Sequence, residues 1–237
     1  MWWIVGFVLV LLHAADRLMV SAGWAHESDT NLRFFLVHIL VNMYVIAATA
    51  GDLLRTLRAP AAAIFAPFDV CPLLAVAGLH LYHLKDHAEL SRVDWVHHLS
   101  VLLLAGLTVW CAGDGPGPLC NYCLFFICGL PGCVDYVLLV GRRWRWLSVR
   151  TEKKMNTILH IWIRCPGLIS YCTLAYTANV ITGGRLSGPK LGFFTLPVMF
   201  NGMYFAHRVA HNYGYYEGRL QGSQGAGGSA VNRTKRA

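Results

Sequence analysis

Long apolar runs alternate with short polar segments along most of the chain, and this alternation predicts a bundle of membrane-spanning helices. A helix needs about 20 mostly apolar residues to cross the roughly 30 Å of hydrocarbon in a bilayer. The pattern predicts an all-α polytopic membrane protein with about seven transmembrane helices, of which the third, interrupted near Pro72, and the short fourth are the weakest. The predicted spans are Trp2–Ser21, Phe34–Leu54, Phe68–Leu84, His97–Gly113, Leu119–Gly141, Thr157–Ile181 and Phe193–Tyr216.

The composition agrees with a chain that lies mostly in lipid. Hydrophobic residues make up 56% of the 237 residues and charged residues 14%, with a mean hydropathy of +0.46. A soluble domain has roughly 45–50% apolar and 25% charged residues, so a soluble enzyme, a disordered protein and a coiled coil are excluded. By length the spans form one domain, residues 1–216. Residues 217–237 are Gly/Ser-rich and basic, and they are predicted to form a disordered cytosolic tail.

Basic residues are distributed unequally between the two sides that the seven spans would define. Fourteen of the twenty Lys and Arg residues fall on the side that the first span reaches, four fall on the other, and Arg164 and Arg208 lie within spans. Because short cytosolic loops are enriched in Lys and Arg, we expect the N-terminus to be lumenal or outside and the C-terminus to be cytosolic. The net charge of +8 then reflects loops that face anionic lipid rather than a nucleic-acid partner. The expected location is the endoplasmic reticulum membrane, although the charge distribution itself indicates only the orientation and not the compartment.

All eleven histidines fall in the cytosolic half of their spans or in cytosolic loops under this topology. Polar side chains at membrane depth are costly, and they tend to face a bundle interior or a cavity. We therefore predict a histidine-lined pocket that opens to the cytosolic face. The alternative is that these histidines merely tolerate the headgroup region.

Two groups of histidines flank the predicted loop between the third and fourth spans. Asp94 lies about one helical turn before His97 and His98, where its carboxylate would orient an imidazole and raise its basicity. These three residues are candidate catalytic groups, and a capped helix end with two solvated histidines is the alternative. A second group shares one helix face at the cytosolic end of the third span, namely His80, His83 and His87.

The last predicted span carries a polar stripe. Asn201, Tyr204, His207 and His211 are spaced by 3, 3 and 4 residues, which places them on one helix face. A stripe on an otherwise apolar span is expected to face protein or water rather than lipid. His207 and His211 have the i, i+4 spacing of a metal-binding pair, and a purely structural, hydrogen-bonded stripe is the alternative.

Asp135 lies inside the fifth predicted span, about a turn and a half from its cytosolic end. An intramembrane carboxylate is a candidate functional residue, and its expected partners are His97 and His98, or else Arg164 in the sixth span. Pairing with Arg164 would make both residues structural. The Gly-Leu-Pro-Gly segment at 129–132 is expected to kink or unwind the helix just before Asp135.

The order of these polar motifs is that of a known membrane-protein family. A His-His pair opens a span (HHLSVLLLAG), Asn121-Tyr122 follows, and Asp135-Tyr136-Val-Leu-Leu ends the next span. This order resembles the TLC family, whose best-known members are the ceramide synthases and which has a His-His pair followed by a D-x-x-D-Y-L-L-type segment. Chain length and seven spans with a cytosolic C-terminus also fit.

The resemblance implies a lipid pocket in the bundle, with His97 and His98 near the reactive group and Asp135 as a second polar contributor. It implies acyl transfer from acyl-CoA to a lipid amine or hydroxyl, with one of the two histidines as general base. The basic loop Arg142–Lys154 would hold the CoA phosphates. The candidate substrate-binding residues are Asn121, Tyr136, Asn201, Tyr204 and Arg164.

The chain also departs from the ceramide-synthase motif. Leu-Pro-Gly at 130–132 stands where that motif has His-Asp, and the Arg-x-Gly element that follows the Asn is absent. Lipid binding or regulation without acyl transfer is therefore an open alternative, so the question of enzymatic activity stays open.

Three other functions compete on the residues alone. A membrane di-iron hydroxylase or desaturase needs about eight cytosolic histidines, and its candidate ligands include His83, His87, His97, His98, His207 and His211. A single-zinc hydrolase would use the pair in the last span with a third histidine such as His38. A non-enzymatic seven-span receptor or scaffold needs no such site. No metal site is favoured, and iron or zinc would be bound only under these alternatives. Membrane lipids are the expected partners. A homo-dimer is an open alternative.

Overall fold

The described part of the chain is entirely helical. The computed structural model describes residues 3–64, 66–86, 92–110 and 117–234, with side chains for all of these except 85, 86, 93, 94 and 223–234. The predicted all-α class is confirmed for these residues. The helices are α1 (Trp3–Ser21), α2 (Thr30–Arg58), α3 (Pro60–Ala63), α4 (Cys71–Asp86), α5 (Arg92–Trp110), α6 (Leu119–Arg143), α7 (Val149–Ile181) and α8 (Gly188–Thr234).

Within the described residues, four helices, α1, α2, α6 and α7, are long and apolar enough to cross a membrane. The most apolar segments of these helices have mean hydropathies of 1.8, 1.8, 2.1 and 1.3, in chain order. Two further apolar helices, Cys71–Leu84 and Trp95–Trp110, are shorter within the described residues. The long helix α8 is continuous, but a proline and polar residues interrupt its apolar run, among them Pro197, Asn201, His207 and Arg208. The chain thus has the architecture of a multi-pass membrane protein, and the predicted count of seven spans is not confirmed.

Side-chain caps begin two of the long helices. Asp29 Oδ1 accepts a hydrogen bond from the Leu32 N–H at 3.1 Å, and Ser148 Oγ accepts one from the Thr151 N–H at 3.0 Å. Such caps satisfy N–H groups that the first helical turn leaves unpaired. Because the caps lie in the polar flanks, α2 and α7 begin before the apolar spans that hydropathy predicts.

Helices α6 and α7 each contain one wide, π-helical turn just before an X-Pro-Gly segment. The turns are Phe125–Gly129 and His160–Arg164, and the prolines that follow them are Pro131 and Pro166. Proline lacks an N–H, and its ring clashes with the carbonyl four residues earlier. In each turn the first carbonyl instead accepts from the N–H five residues later, so the helix continues past the proline ring. The expected distortion before Asp135 is confirmed.

Glycines let α6 pack closely against its two neighbours. A Cβ atom at Gly132 would lie 2.7 Å from Nδ2 of Asn42 in α2. A Cβ atom at Gly167 of α7 would lie 2.2 Å from Cδ1 of Phe126 in α6. Both distances are shorter than van der Waals contact, so these close approaches need a residue without a side chain.

Among the described residues, two apolar cores fill the bundle. The first joins α1, α2, α4, α5 and α6, and includes the buried side chains of Val37, Val45 and Leu74. The second joins the start of α6 to α7 and to the segment before α8, and includes Leu119 and Leu168. Because α6 contributes to both cores, it connects the two parts of the bundle.

Most ion pairs of the described residues lie at one end of the bundle, which we call the basic end. It contains the loops at 22–29 and 144–148. Arg143 at the end of α6 binds Asp29 at 2.8 Å, and Arg150 at the start of α7 binds Glu217 of α8 at 2.8 Å. These pairs join the ends of helices that hydropathy places on the same side of the membrane.

A buried charge pair near the basic end connects α1, α2 and α4. The carboxylate of Asp16 is 1% exposed, and it accepts hydrogen bonds from Arg33 Nε at 2.8 Å and from the Tyr82 hydroxyl at 2.7 Å. The hydropathy pattern did not single out this group, because Asp16 stands near the end of an apolar run. The triad holds the first two spans against α4.

The final helix extends to Thr234 and so includes most of the tail for which the composition predicts disorder. Extending an existing helix adds one backbone hydrogen bond per residue and avoids the cost of nucleation. A helix that begins in the bundle can therefore continue through a Gly/Ser-rich segment that could not start one.

Candidate functional site

Five histidines from three helices meet near the basic end of the bundle. We call them the histidine cluster: His38 of α2, His80 and His83 of α4, and His97 and His98 of α5. The ring centroid of His80 lies 4.9 Å from that of His98 and 5.5 Å from that of His97. His83 lies 5.3 Å from His98 and 4.4 Å from His38. The structure thus brings both predicted catalytic histidines together with three others.

Two aromatic rings extend the histidine cluster to a fourth helix. Tyr136 of α6 stacks on His38 at 4.0 Å between ring centroids, and Phe34 stacks on His83 at 3.9 Å. Tyr136, predicted as a substrate-binding residue, therefore lies in the cluster. The rings are packed against one another, and an open pocket at this place stays a prediction.

Two members of the cluster have a defined basic nitrogen. His38 Nδ1 donates to the Phe34 carbonyl at 2.8 Å, and His80 Nδ1 donates to the Val76 carbonyl at 2.8 Å. A carbonyl can only accept, so a neutral ring held in this way carries its lone pair on Nε2. An imidazole oriented like this can accept a proton from a neighbouring group.

Asp135 does not contact the histidine cluster, which corrects the expectation that His97 and His98 are its partners. Its carboxylate accepts a hydrogen bond from Nδ2 of Asn156 in α7 at 2.6 Å. The alternative expectation, an ion pair with Arg164, is also not what the structure shows. The reason is the direction of the side chain, since Asp135 points to α7 while its neighbour Tyr136 points to α2.

Arg164 forms a second polar group, which we call the arginine site, with partners on α7 and α8. Its Nη2 donates to Asn201 Oδ1 at 2.9 Å, and its Nη1 lies 3.4 Å from His160 Nδ1. The guanidinium carbon lies 4.5 Å from the ring centroid of Phe205. The predicted residues Arg164 and Asn201 are therefore direct partners. The Phe205 ring also lies 6.2 Å from that of His97, so the two polar groups are neighbours.

Asn121 lies at the opposite end of the bundle and not at the histidine cluster. Its Nδ2 donates to Asp52 Oδ2 at 2.8 Å and to the Asp69 carbonyl at 3.0 Å. Asp52 follows His38 by fourteen residues on α2, or about 21 Å along a helix axis. The structure therefore does not bring Asn121 together with the histidines but uses it to join α6 to α2 at the other end, and its role in substrate binding stays a prediction.

Three residues of the predicted stripe on α8 are exposed and do not reach the other histidines. Tyr204 is 40% exposed and stacks on Phe200, while His207 and His211 line a shallow surface depression with Arg208. Only Asn201 turns inward. The stripe thus contacts protein at Asn201 and is exposed at the other three residues, and whether these face water stays a prediction.

Two predicted residues cannot be assigned a contact. His87 lies outside the described residues, and for Asp94 the structure describes the backbone in α5 but not the side chain. Within the described residues, no group of three His, Cys, Asp or Glu side chains is arranged to hold a metal ion. The iron and zinc alternatives stay predictions.

Some residues of the two polar groups were not predicted. Phe34 precedes His38 by one turn, and this i, i+4 pair in the sequence could have indicated that the two rings touch. Asn156 and Phe205 gave no comparable signal, because their roles depend on which helices are neighbours.

Comparison with protein-family models, with curated proteins and with solved structures found no match for the chain.

Proposed function

We propose that this chain is an integral membrane protein that binds a lipid at the histidine cluster and modifies it there. The observation that supports the proposal is the convergence of five imidazoles with Tyr136 near one end of an apolar bundle. Apolar packing alone requires no imidazole, and each buried ring nitrogen is costly unless it finds a partner. A cluster drawn from three helices is better explained as a site for a polar reacting group.

The reaction we propose is acyl transfer, in keeping with the resemblance to the TLC family. A lipid amine or hydroxyl attacks the thioester carbonyl of acyl-CoA, which forms an amide or ester and releases the CoA thiol. His97 or His98 takes the proton from the attacking group and returns it to the departing thiolate. Tyr136 positions His38 against the other rings.

The basic end is the proposed entry side for the acyl donor. Exposed cations at the end of α6 and in the loop after it, including Arg142, Arg143 and Arg145, would bind the CoA phosphates. This proposal places the basic end in the cytosol, the N-terminus on the lumenal side and the protein in the endoplasmic reticulum membrane. Asp135 then acts from outside the cluster, through its contact with α7.

Alanine substitution within and outside the cluster tests the proposal. The variants are His97→Ala and His98→Ala, with His207→Ala and His211→Ala on the exposed face of α8 as matched controls. We expect acyl-CoA-dependent lipid products to fall about 10²- to 10⁴-fold in whichever of the first two variants lacks the general base, the usual range for loss of that group. The two controls should keep full activity.

The competing outcomes are distinct. Unchanged products in both cluster variants would end the catalytic proposal. Metal analysis of the purified protein adds a second measurement, because about two irons per chain would favour the hydroxylase alternative. If every histidine variant keeps wild-type lipid products and also wild-type lipid binding, the result would favour a scaffold.

A further inference from the structure

Arg164 is a buried cation that the proposed acyl-transfer reaction does not use. Its side chain is 9% exposed and stands at the end of the π-helical turn of α7. A guanidinium carries five N–H donors. Its partners here are the neutral side chains of Asn201, His160 and Phe205, and its Nε has no hydrogen-bond partner.

The nearest carboxylate of α6 does not neutralise this charge by contact. Asp135 accepts its hydrogen bond from Asn156 instead. None of the ion pairs in the part of the chain that the structure describes includes Arg164. A buried cation without a bonded counter-charge is strongly unfavourable, especially at membrane depth.

We infer that Arg164 binds the acidic head of a membrane lipid, a carboxylate or a phosphate, which enters between α7 and α8. Such a head accepts from the unpaired Nε–H and from one terminal N–H, which is the forked geometry that guanidinium prefers for oxyanions. The ligand thus supplies a counter-charge that bonds Arg164 directly, which the nearby Asp135 does not.

The surface around this position suits the tail of such a lipid. Phe200 of α8, which precedes Asn201, is strongly exposed, and Tyr204 stacks on Phe200. An acyl chain can lie along these apolar rings while the head reaches inward past Asn201. Because Phe205 separates Arg164 from His97, the bound lipid lies next to the histidine cluster. The inference rests on the proposed lipid ligand but not on any role of the histidines in catalysis.

Binding of matched lipid probes to the full-length protein in nanodiscs tests this inference. The first pair of probes is a photoactivatable fatty acid and the corresponding fatty alcohol, and the second is phosphatidate and diacylglycerol. We expect Arg164→Gln to weaken binding of the acidic member by about 10- to 100-fold, the range for hydrogen bonds to a charged group. The neutral member should bind equally to both proteins. The pair that shows the difference identifies the head as carboxylate or phosphate.

Two further variants make the result decisive. Asp135→Asn removes a nearby negative charge, so we expect it to strengthen binding of the acidic probe. Arg208→Gln, an exposed cation on α8, should have no effect. If Arg164→Gln does not fold, the affinity of Asp135→Asn for the acidic probe tests the inference instead. Stronger binding supports the inference, and unchanged or weaker binding overturns it.

Failure of this inference can be separated from failure of the proposed function. Equal binding of acidic and neutral probes, or full binding by Arg164→Gln, overturns the acidic-lipid site whatever the histidine variants do. Retained acyl transfer in both His97→Ala and His98→Ala overturns only the catalytic role of the cluster, because probe binding at Arg164 does not require that role.

Discussion

The contact between Gly167 of α7 and Phe126 of α6 gives a sharp prediction for the stability of the bundle. In Gly167→Ala the new Cβ would lie 2.2 Å from Cδ1, 2.3 Å from Cγ and 2.9 Å from Cβ of Phe126. Carbon atoms in contact are normally about 3.5–4.0 Å apart, so the ring must move by more than about 1 Å. Tyr122 and Phe125 pack against that ring at centroid distances of 5.1 and 5.2 Å, and they restrict the movement. Overpacking of this kind costs about 1–3 kcal/mol.

A matched glycine in α2 separates this steric cost from the general effect of alanine in a helix. No atom lies within 4 Å of a Cβ built at Gly51, so Gly51→Ala should stabilise the protein by up to about 1 kcal/mol. Both free energies of unfolding can be measured by denaturant titration in the same detergent. Adding Phe126→Leu should recover part of the loss in Gly167→Ala, as expected for residues in contact. Equal effects of the two alanines would refute the steric argument.

Two further predictions use the same unfolding titration. Asp16→Asn removes the charge that pairs with Arg33 and should lower the free energy of unfolding by about 3–5 kcal/mol. Glu27→Gln, in an exposed ion pair, should cause no resolvable change. Similar losses of stability in the two variants would contradict the assignment of the buried pair. Asn121→Ala removes the hydrogen bond to Asp52 and should cost about 1–3 kcal/mol while lipid crosslinking stays unchanged. A loss of lipid crosslinking without a loss of stability would support the predicted role of Asn121 in substrate binding.

Hydropathy located the helices well because burial in lipid and helix formation depend on the same local property, the run of apolar side chains. Each predicted span overlaps a helix of the described chain. The polar flanks were less predictable, since the caps at Asp29 and Ser148 lengthen α2 and α7 beyond their apolar parts. The weakness expected of the third and fourth spans agrees with the shorter apolar lengths of α4 and α5.

The direction of a polar side chain was harder to predict than its depth. His80, His83, His97 and His98 stand at the two ends of one predicted loop, so their proximity follows from the order of the helices. Asn201 and its neighbours on α8 share a face in the sequence, but which part of that face is covered depends on α7. That information is non-local, because only the packing of the other helices determines it.

The side chains of Asp135 and Tyr136 reach different helices, and the cause is a local feature of the sequence. A π-helical turn adds one residue to a helical turn, so the residues that follow it are displaced by about 100° from regular α-helical periodicity. Beyond the turn before Pro131, Tyr136 reaches His38, while Asp135 bonds Asn156 of α7. The carboxylate would therefore act on the proposed lipid head at Arg164 through its charge and not by contact. For that reason its removal is expected to strengthen the binding of an acidic lipid, whereas loss of a residue that contacts the ligand would weaken it.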